Sequence, residues 1–161
     1  MRARRRAGPR QHAGVPTIYL AGPLFTAAER AWNTALAAEL RRARPGWAIA
    51  LPQDFCSHVD AAKTAENPTD FPAIFAACLS HLADADAVLA VLDGADADSG
   101  TCWECGYAYA KGIPVVGLRT DWRPAEDGGS NCMLTRSAAA VVRDTAAVIT
   151  ALDAALARKP S

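Results

Sequence analysis

The chain's 161 residues, half of them apolar, supply one well-buried domain of ordinary size and not two. Lys plus Arg and Asp plus Glu both number 17, so no net field draws the protein to nucleic acid or a membrane surface, and electrostatic recognition has to be local. The longest apolar runs, such as AVLAVL at 87–92, fall far short of the roughly 20 residues that span a bilayer.

The opening residues, MRARRRAGPRQHAG, are basic and free of carboxylates. They lack the apolar run of a secretory signal and the amphipathic face of a transit peptide, and read as a disordered basic tail over 1–15 ahead of a domain at 16–161. Five cysteines, an odd count without a secretory signal, argue against a disulfide framework and for a reducing cytoplasm.

TIYLAG, 17–22, is rich in β-formers and ends at Gly22-Pro23, which predicts a first strand. Thr26 and Glu29 then have capping-box spacing, and Trp32, Leu36 and Leu40 recur every four residues. Arg41, Arg42 and Arg44 suit the negative end of that helix, and Pro45-Gly46 stops it. WAIALP, 47–52, reads as a second strand. Gln53 to Pro72 is polar and aperiodic, the mark of a lid or binding loop.

The helix expected over 73–85 puts Ile74, Phe75, Cys78, Leu79 and Leu82 on one face. DAVLAVLD, 86–93, is continuously apolar, as in a strand covered on both sides. After the loop GADADSG a helix opens at Thr101. A strand follows at 113–118, then a loop from Arg119 to about Arg136, a last strand within SAAAVV, and a closing helix capped by Asp144. This alternation predicts an α/β fold: a single doubly wound domain with a five-stranded parallel sheet flanked by helices, flavodoxin-like or Rossmann-like. Ligands of such sheets bind at the carboxyl ends of the strands, which points to Gly22–Thr26, Asp93–Thr101 and the stretch after Leu118.

TCWECGYAYAKG, 101–112, sets Glu104 between Cys102 and Cys105. A thioredoxin-type pair has its tryptophan ahead of the cysteines, whereas Trp103 lies between them. A metal site needs about four ligands, and Cys56, Cys132, His12, His58 and His81 have no spacing that completes one. The cysteines read as small apolar packers. Thr101-x-x-Glu104 also matches a capping box, which on local sequence alone would account for the glutamate. Its position at the end of a buried strand, beside Asp93, Asp96 and Asp98, favours an ionised carboxylate suited to a nucleophile or an oxocarbenium stabiliser.

IYLAGPLF, ADAVLAVLDG, DSGTCWECGYAYAKGIPVVGLRTDWR and NCML, in that order from about Thr17 to Leu134, resemble the nucleoside 2-deoxyribosyltransferases. The D-x-G-T-x-x-E-x-G-x-A core carries most of the likeness, and related nucleotide N-glycosidases share much of it. The resemblance implies that Glu104 is the nucleophile, that the Tyr19 hydroxyl positions it, and that Asp98 holds sugar and substrate polar groups. It implies that Phe25 walls the base pocket, that Gln53 contacts the base, and that Asn131 and Met133 are lent by a neighbouring subunit of a homo-oligomer. Gly22, Asp93 and Gly100 complete the implied substrate-binding set. Cys78 stands where the family usually has a base-contacting Asp or Asn, and a thiol is neither a strong acid nor a bidentate partner. Asp54 and Asp98 are the candidates to protonate the leaving base in its place.

The implied activity is transfer of 2-deoxyribose between nucleobases by double displacement, with no metal and no organic cofactor. Its partners are deoxynucleosides and free bases, with neither nucleic acid nor membrane. The alternative within the same resemblance is hydrolysis of a nucleoside 5′-monophosphate, for which Arg119, Arg123 or Ser130 would have to supply the phosphate site, since GPLFT lacks one. A non-catalytic nucleoside-binding module is the alternative outside enzymology.

Overall fold

The computed structural model describes residues 14–56, 69–124, 126–128 and 130–158. Residues 1–13 of the expected tail and 57–68 of the expected lid or binding loop lie outside them. Five strands are seen: β1 (Thr17–Ala21), β2 (Ala48–Ala50), β3 (Ala87–Val91), β4 (Val115–Leu118) and β5 (Ala140–Val142). The helices are α1 (Ala27–Ala43), α2 (Pro52–Phe55), α3 (Phe71–Ala83), α4 (Ser99–Lys111), α5 (Cys132–Ser137) and α6 (Thr145–Ala157), with a 3₁₀ turn at Glu126–Gly128. Among the described residues no helix is long and apolar enough to cross a membrane.

All strand pairs are parallel, in the order β2-β1-β3-β4-β5, with Tyr19 opposite Ala50 on one side and Val88 on the other. Side chains alternate across β1. Ile18 and Leu20 enter a core with Leu36, Leu40, Val148 and Leu152 of α1 and α6. Tyr19 and Ala21 enter the other, with Leu82 of α3 and Cys105 and Ala108 of α4. The helix after β1 therefore lies on one face and the helix after β3 on the opposite one, although the two strands are neighbours. A crevice opens at the carboxyl edge where the chain divides in this way.

Local chemistry sets the helix ends. The Thr26–Glu29 capping box is formed in both directions, Asp144 accepts from Ala147 N, and Gly112 closes α4 at φ 71°. Several expected boundaries move. β2 is three residues long because the first turn of α2 begins at Pro52. α3 starts at Phe71 because Asp70 caps it and Pro72 fits the first turn. The loop from Arg119 to about Arg136 contains α5, capped by Asn131. The expected apolar face of α3 is only partly covered: Leu82 is buried, while Phe75 is 54% exposed. α3 packs on α4 more than on the sheet, so only its last turn reaches the core.

Candidate active site

The expected cap at Thr101 is three residues late. Asp98 is the cap of α4, accepting from Thr101 N at 2.9 Å and from Thr101 Oγ1 at 3.3 Å. Thr101 is thus buried inside the first turn, and Glu104 is one turn further on, released from any capping box. Gly100 serves that cap, since a Cβ there would lie 3.1 Å from Asp98 Oδ2.

From the second turn of α4 the Glu104 side chain reaches β1, where the Tyr19 hydroxyl donates to Oε1 at 2.5 Å. Among the described residues no protein group bonds to Oε2, and Glu104 keeps part of its surface open. Burial raises its pKa to about 7, opposed by the Tyr19 hydrogen bond and helped by the nearby charge of Asp98. This corrects the expectation of a carboxylate kept ionised by the helix dipole: Glu104 is beyond the first turn, where that influence fades, and desolvation dominates. Tyr19 is held protonated far above its ordinary range, first by burial and then by the Glu104 charge.

Cys78 of α3 completes the group. Its thiol adjoins the Tyr19 hydroxyl, feels the Glu104 charge, and is raised mainly by burial. The structure therefore brings Tyr19, Cys78, Asp98 and Glu104 together, from β1, α3 and both ends of the first turn and a half of α4.

The other candidates are disposed differently. Gly22 packs so closely that a Cβ would meet Val91 Cβ at 3.3 Å and Asn33 Oδ1 at 3.4 Å. Phe25, 72% exposed, stands in the loop after β1. Gln53 is bound to α1, its Nε2 donating to Arg30 O and Thr34 Oγ1 and its Oε1 accepting from Asn33 Nδ2 at 3.4 Å. Asp54 is exposed and lies 3.7 Å from Arg41. Asp93 accepts from Thr120 N, Thr120 Oγ1 and Asp121 N, which makes it a brace between the β3 and β4 loops.

Asn131 accepts from Met133 N and donates to Glu126, both at 3.0 Å. Together with Met133 it borders a groove of about 370 Å³ between α4 and α5, along with Cys102, Gly106, Tyr109 and Leu134. Neither Tyr19 nor Glu104 lines that groove.

The cysteines flanking Glu104 differ in their surroundings. Cys105 is core, its thiol pushed to about 12 chiefly by burial, while Cys102 is directed at Ala97 O, 3.7 Å away. Among the described residues no three His, Cys, Asp or Glu side chains group as a metal site.

Two residues brace the site in roles that the sequence did not indicate. Arg119, 1% exposed, donates from Nη1 to Leu92 O at 2.6 Å and Gly94 O at 3.1 Å, which ties the end of β3 to β4. Its signal was a lone arginine directly after a buried strand. Asn33 is buried and donates to Pro23 O at 2.9 Å, fixing the loop after β1. It shares the apolar face of α1 with Leu36, Ala37 and Leu40, where a polar residue needs a partner.

Comparisons with known proteins bear on the fold and the family. No curated protein matches the chain. Among solved structures, a conserved protein from Enterococcus faecalis V583 is 27% identical with a TM-score of 0.75, over 88% of this chain and 99% of that one. A 2-deoxyribosyltransferase from Bacillus psychrosaccharolyticus is 25% identical with a TM-score of 0.69, over 90% and 98%. A 2-desoxiribosyltransferase from Leishmania mexicana, 24% identical with a TM-score of 0.61 over 90% and 99%, shares the fold. The family model described as nucleoside 2-deoxyribosyltransferase matches residues 18–152, a span that runs from β1 into α6 and takes in the whole Tyr19–Glu104 arrangement. The chain belongs to the nucleoside 2-deoxyribosyltransferase family.

Proposed function

We propose that the protein transfers 2-deoxyribose between nucleobases. Glu104 Oε2 attacks C1′ of a deoxynucleoside, the C1′–N bond breaks, and the base departs with a proton taken from solvent, which the incoming base gives back in the second step. A second base then attacks C1′ from the opposite face and releases the carboxylate, so that two inversions retain configuration. The observation that carries this reading is the Tyr19–Glu104 hydrogen bond, which orients one carboxylate oxygen and leaves the other to a substrate. A pKa of about 7 serves a nucleophile that must ionise to attack and must also leave. Asp98, beside Glu104, holds sugar hydroxyls, and Phe25 and Cys78 border the base.

A homo-oligomer fits the surface. Phe71, Phe75, Trp103, Tyr109 and Met133 are all exposed apolar side chains of α3, α4 and α5. Covering them with a second copy removes an apolar patch that water tolerates poorly, and carries Asn131 and Met133 into a neighbour's site. The enzyme works in the cytoplasm, in salvage of purine or pyrimidine bases.

Nucleotide hydrolysis has less support. Arg123 is committed to Asp121, and Arg119 is buried beneath the carbonyls of Leu92 and Gly94 that follow β3. A non-catalytic module leaves the buried Tyr19–Glu104 pair without a purpose. The test is to incubate the protein with deoxyinosine and free adenine or cytosine and separate the products by chromatography, with deoxyinosine alone and deoxy-CMP in parallel. A new deoxynucleoside is the expected product. Free base released without exchange, above all from deoxy-CMP, would overturn the reading in favour of a hydrolase.

A further inference from the structure

Cys56 caps the C-terminus of α2 and Cys78 sits in the middle of α3, yet their Sγ atoms are 3.9 Å apart. The residues beside them hold the two helices in this relation. Phe55 stacks on His81, one turn along from Cys78, with ring centroids 4.1 Å apart and planes at 23°. Neither cysteine is fully buried. A disulfide needs an S–S distance of about 2.05 Å, so closure requires the two sulfurs to approach by roughly 2 Å. Neither thiol belongs to the CxxC that draws the eye in the sequence. Cys78 also adjoins the Tyr19 hydroxyl that holds Glu104.

We propose that Cys56 and Cys78 form an oxidisable pair that a hydroperoxide closes to a disulfide, shutting the Glu104 site. One thiolate attacks the peroxide oxygen, the O–O bond breaks, and water or an alcohol leaves, giving a sulfenic acid. The second thiol attacks that sulfur and expels water, so two thiols are oxidised and one peroxide is reduced. Closure draws Cys78 Sγ away from Tyr19 and toward α2, which changes the wall of the base pocket and the hydrogen bonding of the group that orients the nucleophile. The bond itself stands on geometry; its effect on turnover rests on the transferase reading above.

The experiment treats the reduced full-length protein with hydrogen peroxide, blocks remaining thiols, and maps peptides by mass spectrometry alongside deoxyribosyl transfer. The expected result is a Cys56–Cys78 linked peptide, a fall in kcat/KM of roughly tenfold or more, and recovery with dithiothreitol. Cys56→Ser, with Cys56→Ala as a second variant, keeps the untreated activity and loses the sensitivity to peroxide. Absence of the linked peptide, full activity in the linked protein, or equal inactivation of both Cys56 variants would each overturn the proposal. A protein that forms the linked peptide but never transfers deoxyribose supports the pair and refutes the transferase reading, so the two failures are told apart.

Discussion

Glu104→Gln removes the reacting carboxylate and should make the protein more stable above neutral pH. The unfolded glutamate titrates near 4.5 and the folded one near 7, because burial disfavours its charge. Between those values the folded chain keeps a proton that the unfolded chain releases, so stability falls as pH rises through the window, and above about pH 7 the whole cost is in place. The gap, at about 1.4 kcal/mol for each pH unit, comes to roughly 3 kcal/mol. Glutamine keeps an oxygen to accept from Tyr19 and carries no charge to desolvate, so most of that cost disappears in the variant. Urea unfolding of both proteins at about pH 4.5 and about pH 8.5 reads the difference: near equality at the lower value, and at the higher a gain of about 2–3 kcal/mol, or several degrees in Tm. Transfer activity of the variant should be lost at both. A gain that is the same at both pH values, or absent at the higher one, would show that Glu104 is not a buried group with a raised pKa.

Tyr19→Phe deletes a hydrogen bond that favours the ionised glutamate, a contact to charge worth about 1.5–3 kcal/mol. The acid limb of the kcat/KM profile should therefore move to higher pH; an unmoved limb with reduced activity would mean that the hydroxyl does no more than fill space. Asp98→Ala should cost about 1 kcal/mol of stability through loss of the α4 cap, measured by denaturant titration, and should weaken deoxynucleoside binding as well. The Cys102→Ser and Cys105→Ser double variant should still transfer deoxyribose, with some loss of stability from the buried Cys105; loss of chemistry in a folded protein would restore the redox or metal reading of that motif. Mixing inactive Glu104→Gln with inactive Asn131→Ala subunits should restore activity if Asn131 serves a neighbour's site, and mixtures as inactive as their parents would place Asn131 outside the reaction.

The sheet was legible because its strands are short apolar runs separated by turn residues, and β3 is apolar enough to announce burial on both faces. The caps at Thr26 and Asp144 were equally plain, each a single acceptor ahead of a periodic run. DSGTCWE was not, because it holds two overlapping N-cap signals three residues apart. The choice between Asp98 and Thr101 is made by tertiary structure: only the earlier start turns Glu104 toward Tyr19, 85 positions away. α2 and α5, four and six residues long, are too short to display a period, and their segments read as loop. The raised pKa of Glu104 was beyond the sequence for a similar reason. Neighbouring carboxylates are visible in the chain, whereas the enclosure that desolvates the group exists only once β1, α3 and α4 meet.

The separation of Tyr19 from Glu104 also bears on when the protein becomes competent during synthesis. β1 is made early, but in the sheet it lies between β2 and β3, and its pairing of Ile18 with Ala87 must await more than half of the chain. The glutamate follows later still, on the helix after β3. No nascent fragment ending before α4 can hold the site, so onset of turnover in a refolding experiment would time the closing of the central sheet, a non-local event and therefore a comparatively slow one.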